Sequence, residues 1–223
     1  MSIHEDIGHF ALATFDQTGQ PSPILGYPHG LAKRALDLAI AVPLLILLSP
    51  LMIALAVAIR LSSSGPTLFR QTRLGTFGAP FRIFKFRTMN VLEDGAAIAQ
   101  ASEDDKRVTS VGRWMRRLSL DELPQFINVI NGDMSMIGPR PHAIAHDLLY
   151  GKLIDGYHLR QAVKPGISGW AQIHGHRGAT PTTSRMRERL AYDVWYAKNA
   201  SIALDIQIAW RTIGAILRPR NAY

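Results

Sequence analysis

The stretch LAIAVPLLILLSPLMIALAVAI, Leu38 to Ile59, is uncharged and apolar, with Ser49-Pro50 near its middle. A membrane helix needs about 20 such residues. Lys33 and Arg34 precede the run. Arg60, Arg70, Arg73, Arg82, Lys85 and Arg87 follow it, with no acid between Arg60 and Glu93. Positive charge stays preferentially on the cytoplasmic side, so both flanks ask for the same side. A straight spanning helix cannot meet that demand, whereas a helix that enters, bends and returns can.

The bend has a chemical cause. Pro50 has no N–H, so the carbonyl of Ile46 loses its helical partner, and the proline ring crowds that turn. In hydrocarbon the freed group must be satisfied nearby, and the Ser49 hydroxyl is adjacent. Pro43 adds to the distortion. Three forms fit these residues: a single-span anchor with a tolerated proline, a re-entrant hairpin, and a buried core helix. The run starts too late for a cleavable signal peptide and has no small-residue cleavage site before its end.

The residues after the run are enough for one domain with its own core. The chain has no cysteine, which excludes disulfide scaffolds, thiolate zinc sites and cysteine nucleophiles. Its formal charge is +8. Residues 1–32 hold Glu5, Asp6 and Asp16 and no Lys or Arg, so the remainder is more basic still. Beside a membrane segment, such a domain faces anionic headgroups or phosphorylated substrates. Nucleic acid is not expected, because no stacking motif or recognition-helix pattern is present.

Residues 1–31 read as a loose leader, rich in Gly, Pro, Gln and Thr. Residues 32–62 form the membrane helix, and Ser62-Ser63-Ser64-Gly65-Pro66 opens residues 63–223 as a separate unit. Thr67–Arg73 and Phe81–Arg87 read as two strands joined by a turn with Gly75, Gly78 and Pro80. Alternation puts Phe81, Ile83, Lys85 and Arg87 on one face. Asn90–Asp105 is acidic and Ala-rich, a loop or a short helix. Helices are expected over Gly112–Leu118, Asp121–Asn131 with Gly132 as its stop, and His142–Ala162 with breaks at Gly151 and Gly156. Met134–Pro141 and the stretch from Lys164 to Thr183 read as loops. Ser184–Ala200 and Ser201–Leu217 read as two final helices. The last is mixed, apolar on several sides with Arg211, Arg218 and Arg220 late, and suits either the core or the membrane interface.

The sharpest local pattern is Ser119-Leu120-Asp121-Glu122-Leu123-Pro124-Gln125. Ser119 with Glu122 three residues on has the spacing of a capping box, and Asp121 suits a helix's positive end. Arg113, Arg116 and Arg117 lie just before it, and opposite charge keeps carboxylates ionised. An ionised carboxylate at such a point is a candidate nucleophile or metal ligand for phosphate chemistry. Gly138-Pro139-Arg140-Pro141 holds Arg140 in a rigid segment, which lowers the entropy cost of gripping a phosphate. Lys85 and Arg87 share a strand face, and Lys164-Pro165-Gly166 opens a cationic, glycine-rich loop that reaches Gly175-His176-Arg177. The histidines show no metal spacing; His142 and His146, four apart, read as structural or solvated.

Together, and in this order, these motifs resemble the bacterial sugar transferase family, the small monotopic polyprenyl-phosphate phosphoglycosyl transferases. The matching pieces are Lys33-Arg34 with Asp37, Ser49-Pro50, Arg70-Gln71 with Arg73 and Gly75, and Lys85-Phe86-Arg87-Thr88-Met89. They continue through Ser119–Gln125, Gly132–Ser135, Gly138–Pro141, Lys164–Gly169 and Tyr192-Asp193. Single motifs are weak, but this many in register from Ala32 to Tyr223 are specific.

The resemblance implies an α+β, mostly helical fold. It is that of a monotopic membrane protein with a re-entrant N-terminal helix hairpin bent at Ser49-Pro50, a small β-hairpin beside catalytic helices, and C-terminal amphipathic helices. It implies transfer of a sugar 1-phosphate from a UDP-sugar to undecaprenyl phosphate with release of UMP, dependent on Mg2+. Asp121 corresponds to the family's nucleophile, which forms a covalent phosphosugar, and Glu122 supports the metal or the nucleophile, so both are candidate metal ligands. Arg140 is assigned to phosphate, with Lys85, Arg87, Arg116 and Lys164 as further candidates. Arg177 takes the place of a Gly-Arg pair one residue late. Glucose 1-phosphate is the expected sugar, in the first membrane step of exopolysaccharide synthesis, with galactose 1-phosphate as the alternative. Membrane lipid is an expected partner and a homodimer one option. The place of action would be the cytoplasmic face of the bacterial inner membrane, and no large multi-span N-terminal domain is expected. A non-enzymatic, membrane-anchored basic binding protein is the rival class; it leaves the Asp-Glu pair beside arginines unexplained.

Overall fold

The computed structural model describes residues 27–90, 105–178, 180 and 182–217. The leader up to residue 26, nearly all of the acidic stretch after Asn90, and the late arginines Arg218 and Arg220 lie outside the described residues.

The apolar run lies within one helix, α1 (Leu31–Ser62), 32 residues long with Pro43 and Pro50 inside it. At 1.5 Å per residue it is ~48 Å long, more than the ~30 Å of a bilayer's hydrocarbon. The carbonyl that Pro50 orphans is satisfied as expected: the Ser49 hydroxyl donates to the Ile46 oxygen at 2.8 Å. One stripe of α1 packs on the rest of the chain along almost its whole length. Ala41 joins Ile83, Phe126, Val129 and Met134, with Leu44, Leu45 and Leu48 alongside. Further on, Leu55 and Ile59 join Phe86 and Met115. The opposite stripe is open and apolar: Ile46, Leu47, Ile53, Val57 and Leu61 are all exposed. Both halves of α1 thus rest on the same body.

The basic residues at the start of α1 do a different job from the one their position suggests. Lys33 is buried, donates to the Ile137 oxygen at 3.2 Å and pairs with Asp205 and Asp37. Arg34 donates to the Val129 and Ile130 oxygens at 2.5 and 2.7 Å. These are late carbonyls of α3 (Gln125–Asn131), where cations are favoured.

Strands β1 (Leu68–Leu74) and β2 (Pro80–Phe86) pair antiparallel, Leu68 opposite Phe86 and Leu74 opposite Pro80. The turn between them needs positive φ at Phe77 and Gly78. Helix α2 (Ser110–Arg117) starts at Thr109, whose hydroxyl accepts from the Gly112 N–H. A one-turn 3-10 segment (Leu120–Glu122) leads into α3, which Gly132 ends in the left-handed region. The Asn128 side chain stitches α3 to β2, accepting from Phe84 N at 2.9 Å and donating to Arg82 O at 2.7 Å.

The expected Met134–Pro141 loop instead contains β3 (Ser135–Ile137), which pairs parallel with β4 (Gly166–Ser168). Helix α4 (Ile144–Leu153) and a 3-10 stretch (Tyr157–Ala162) replace the single broken helix. Short α5 (Trp170–Ile173), α6 (Thr183–Asn199) and α7 (Ile202–Leu217) complete the chain. Helix α7 belongs to the core and to the surface at once. Leu204 and Ile208 pack with Ile137, Val163 and Tyr196, while Ile206, Trp210 and Ile213 face outward.

Candidate active site

The capping-box reading of Ser119 and Glu122 does not hold. Ser119 sits at φ 58°, ψ 24° and makes no capping bond, and α3 begins at Gln125. The left-handed turn at Ser119 swings the next residues toward β2 and toward the segment after β3. Non-glycine residues there carry about 1–3 kcal/mol of strain, which persists where the surroundings fix it, often at functional sites.

Glu122 is fixed on two sides. Lys85 Nζ, near the end of β2, donates to Oε1 at 2.7 Å. Arg140 closes a two-pronged contact, Nη1 donating to Oε2 at 3.0 Å and Nη2 to Oε1. Arg140 owes its place to close backbone packing just before it. A Cβ on Gly138 would meet the Lys164 oxygen at 2.2 Å, so glycine lets β3 and the β4 entry touch. From behind, Arg160 donates to the Arg140 carbonyl and is itself held by Asp193 at 3.0 Å.

Asp121 differs from its neighbour. Among the described residues its carboxylate has no hydrogen bond or ion pair. Burial, then the charge of Glu122, pushes it up to about 6, against the pull of Lys85, Arg116 and Arg140. Burial works in the same upward direction on Glu122, but Arg140 and Lys85, by charge and hydrogen bond, hold it well below the carboxylate range. Lys85 is itself lowered, by burial and then, against the pull of Glu122, by Arg140. Two adjacent acids thus occupy opposed states: Glu122 ionised and paired with cations, Asp121 without a hydrogen bond or ion pair among the described residues and poised to gain or lose a proton near pH 6.

The candidate cations divide. Lys85 and Arg140 contact Glu122, and Arg116, at the end of α2, adds its charge at Asp121. Arg177 donates to the Ser119 hydroxyl and is depressed by burial and by Arg140. Arg87 goes elsewhere: it lies just past β2, 3% exposed, and donates to the Ser64 oxygen at 2.6 Å and the Ser63 oxygen at 2.7 Å. Lys164 also stands apart, near Gly132 and Arg34, in the field of Arg34, Asp37 and Asp133. His142 is structural, its Nδ1 bonded to the Tyr157 hydroxyl at 2.5 Å.

Sequence reading missed the buried layer behind the arginines. Arg189 donates to the Gly178 carbonyl, next to Arg177, as Arg160 does to Arg140. Tyr192-Asp193 stood out as a motif, but nothing in it names Arg160, thirty-odd residues away, as its partner.

No cluster of three or more His, Asp or Glu suited to a metal occurs among the described residues. Mg2+ is commonly held by one or two carboxylates together with substrate phosphates, and Asp121 offers an unpaired carboxylate beside Glu122.

The profile of the family described as bacterial sugar transferase matches residues 28–219. The chain is 51% identical over 183 residues to a UDP-glucose:undecaprenyl-phosphate glucose-1-phosphate transferase of Escherichia coli (strain K12), covering 82% of this chain and 39% of that one. A Caulobacter vibrioides protein of the same name is 50% identical over 193 residues, covering 86% of this chain and 72% of the relative. A UDP-N-acetylgalactosamine-undecaprenyl-phosphate N-acetylgalactosaminephosphotransferase of Aeromonas hydrophila is 46% identical over 200 residues, 88% of this chain and 45% of its own length. The chain therefore spans less than half the length of two of these three relatives. It belongs to the bacterial sugar transferase family.

Proposed function

We propose that this bacterial sugar transferase moves a sugar 1-phosphate from a UDP-sugar to undecaprenyl phosphate, through a phosphosugar carried on Asp121. The observation that carries the proposal is the contrast between Asp121, without a hydrogen-bond partner among the described residues, and Glu122, clamped by Lys85 and Arg140. A carboxylate tied up in ion pairs is a poor nucleophile; one beside it, surrounded by fixed cations but unpaired, is a good one.

In the first step an ionised Asp121 oxygen attacks the phosphorus that bears the sugar. The bond from that phosphorus to the bridging oxygen breaks, and UMP leaves with the electron pair. In the second step a phosphate oxygen of undecaprenyl phosphate attacks the same phosphorus. The bond to Asp121 breaks, its carboxylate returns, and the product is a polyprenyl diphosphate sugar. Arg116 and Arg140 offset the diphosphate's charge, and fixed cations need not reorganise as charge shifts. Mg2+, held by Asp121 and Glu122 with the diphosphate, would add Lewis-acid neutralisation of the same oxygens.

The sugar read here is glucose 1-phosphate, from the names of the Escherichia and Caulobacter relatives. The Aeromonas relative's name makes an N-acetylgalactosamine donor the second reading. The polymer begun would be an exopolysaccharide. Helix α1 would lie in one leaflet as a re-entrant element. Its packed stripe touches one body at both ends, and its open stripe is apolar, as a lipid-facing surface is. Both ends would then be cytoplasmic. The test is a panel of UDP-sugars with undecaprenyl phosphate, read as UMP. UDP-glucose should give the highest turnover, and absence of UMP from every donor would refute the reading.

A further inference from the structure

A cavity of about 220 Å³ opens beside the acid pair on the side of Ser119 and Arg177. Leu118, Leu120, Leu123, Phe126, Ile167 and Ile173 supply most of its wall. The polar groups that line it are largely engaged with one another. Thr212 Oγ1 donates to the Ile208 oxygen at 2.8 Å and lies 2.6 Å from Ser168 Oγ. Gln172 Nε2 donates to the Ile167 oxygen at 3.1 Å, while its Oε1 is buried with no hydrogen-bond partner among the described residues, a single acceptor against a largely apolar wall. A sugar or a nucleobase here would lose hydrogen bonds to water and recover few, which selects against it. A hydrocarbon guest loses nothing.

The volume falls short of the roughly 300–1,000 Å³ of sites that enclose a whole ligand. The cavity therefore suits one end of a longer molecule. Two further features say which end. Arg177 is part of the lining, and so is Glu122, whose charge Lys85 and Arg140 already offset. Leu118 directly follows α2 and Thr212 lies on α7, and these two helices also carry exposed apolar residues, Trp114 and Ile213, 47% and 53% exposed. The occupant is thus anionic where it meets Arg177 and apolar beyond.

We propose that this cavity receives the phosphate-proximal isoprene units of the polyprenyl phosphate acceptor, with Arg177 at their phosphate end. The proposal rests on the transferase reading above and adds where the acceptor enters. Donor and acceptor would then approach Asp121 from different sides: the diphosphate over Arg140 and Arg116, the isoprenoid past Ser119.

Two variants test it in the full-length protein in lipid nanodiscs: Ile173→Trp, which fills the cavity, and Leu118→Glu, which charges its rim. KM for undecaprenyl phosphate should rise about tenfold or more, equivalent to roughly 1.4 kcal/mol, with KM for UDP-glucose unmoved. A rise in KM for UDP-glucose instead, or no change in a variant whose circular dichroism matches wild type, overturns the proposal. Photolabelling of the unmodified protein does not depend on the variants folding. A diazirine-bearing isoprenyl phosphate should label cavity residues, and undecaprenyl phosphate but not phosphatidylglycerol should compete. Labelling elsewhere, or equal competition by phosphatidylglycerol, overturns it. Labelling needs no turnover, so a protein that makes no UMP but is labelled in the cavity fails the transferase reading alone.

Discussion

Arg140 grips Glu122 with two donors, Nη1 to Oε2 at 3.0 Å and Nη2 to Oε1, and so fixes one member of an acidic pair in place. The cost of placing two adjacent carboxylates in a partly buried turn is met by cations on one of them. The other, Asp121, is left for substrate. Most of the account's consequences follow from that division.

Arg140→Lys keeps the charge but loses the planar fork that reaches both Glu122 oxygens. We expect kcat/KM to fall about 10²-fold, comparable to removing one preorganised donor from a charged transition state. Glu122→Gln should cost a similar amount, and the double variant should be far from additive because the two groups act as a unit. Additive losses in UMP release would show that the pair is not a unit.

The pH dependence has a definite sign. Asp121 must be ionised to attack, and it sits at about 6, so kcat/KM should rise with pH through that value and level off above it. In Glu122→Gln one neighbouring anion is gone and Lys85 and Arg140 are freed to act on Asp121, so the rise should move to lower pH. A wild-type limb near 4, or a shift upward in the variant, would contradict this electrostatic picture.

The sequence assigned Arg140 to phosphate and left Arg87 among the further candidates. Their positions separate them. Arg87→Met removes the donors that hold Ser63 and Ser64 at the end of α1, and should lower stability by about 2–3 kcal/mol. Thermal unfolding in detergent would show the loss, and turnover per folded molecule should fall far less than in Arg140→Lys.

The chain has no cysteine, so single introduced cysteines report topology cleanly. Leu31→Cys and Ser64→Cys lie at exposed positions at opposite ends of α1. A re-entrant helix leaves both on the cytoplasmic face, protected from an impermeant thiol reagent in intact spheroplasts and labelled after lysis. Labelling of one without lysis would make α1 a spanning helix.

How much of this was legible in the sequence depends on how local each cause is. The β-hairpin was visible, since alternation and the Gly75, Gly78 and Pro80 turn are local signals; the strands run Leu68–Leu74 and Pro80–Phe86. The Ser49 rescue of the Ile46 carbonyl was visible for the same reason. The parallel pair β3–β4 was not, because two three-residue strands bounded by Gly and Pro look like loops until they meet. The spacing of Ser119 and Glu122 pointed to a helix cap. The partners that overrode it come from positions 85 and 140, which no local pattern reveals. Lys33 and Arg34 read as charges at a membrane surface, and the sequence did not show the Asp205 carboxylate or the α3 carbonyls that bury them.

The central claim is that Asp121 carries the sugar phosphate, and the direct measurement is intact-protein mass after incubation with UDP-glucose and Mg2+ without acceptor. Wild-type protein should gain the mass of one glucose phosphate, release one equivalent of UMP, and return to its original mass when undecaprenyl phosphate is added. Asp121→Asn should show neither the added mass nor UMP, with its fold retained. Normal UMP release by Asp121→Asn, or a phosphosugar attached at another residue, would contradict the account.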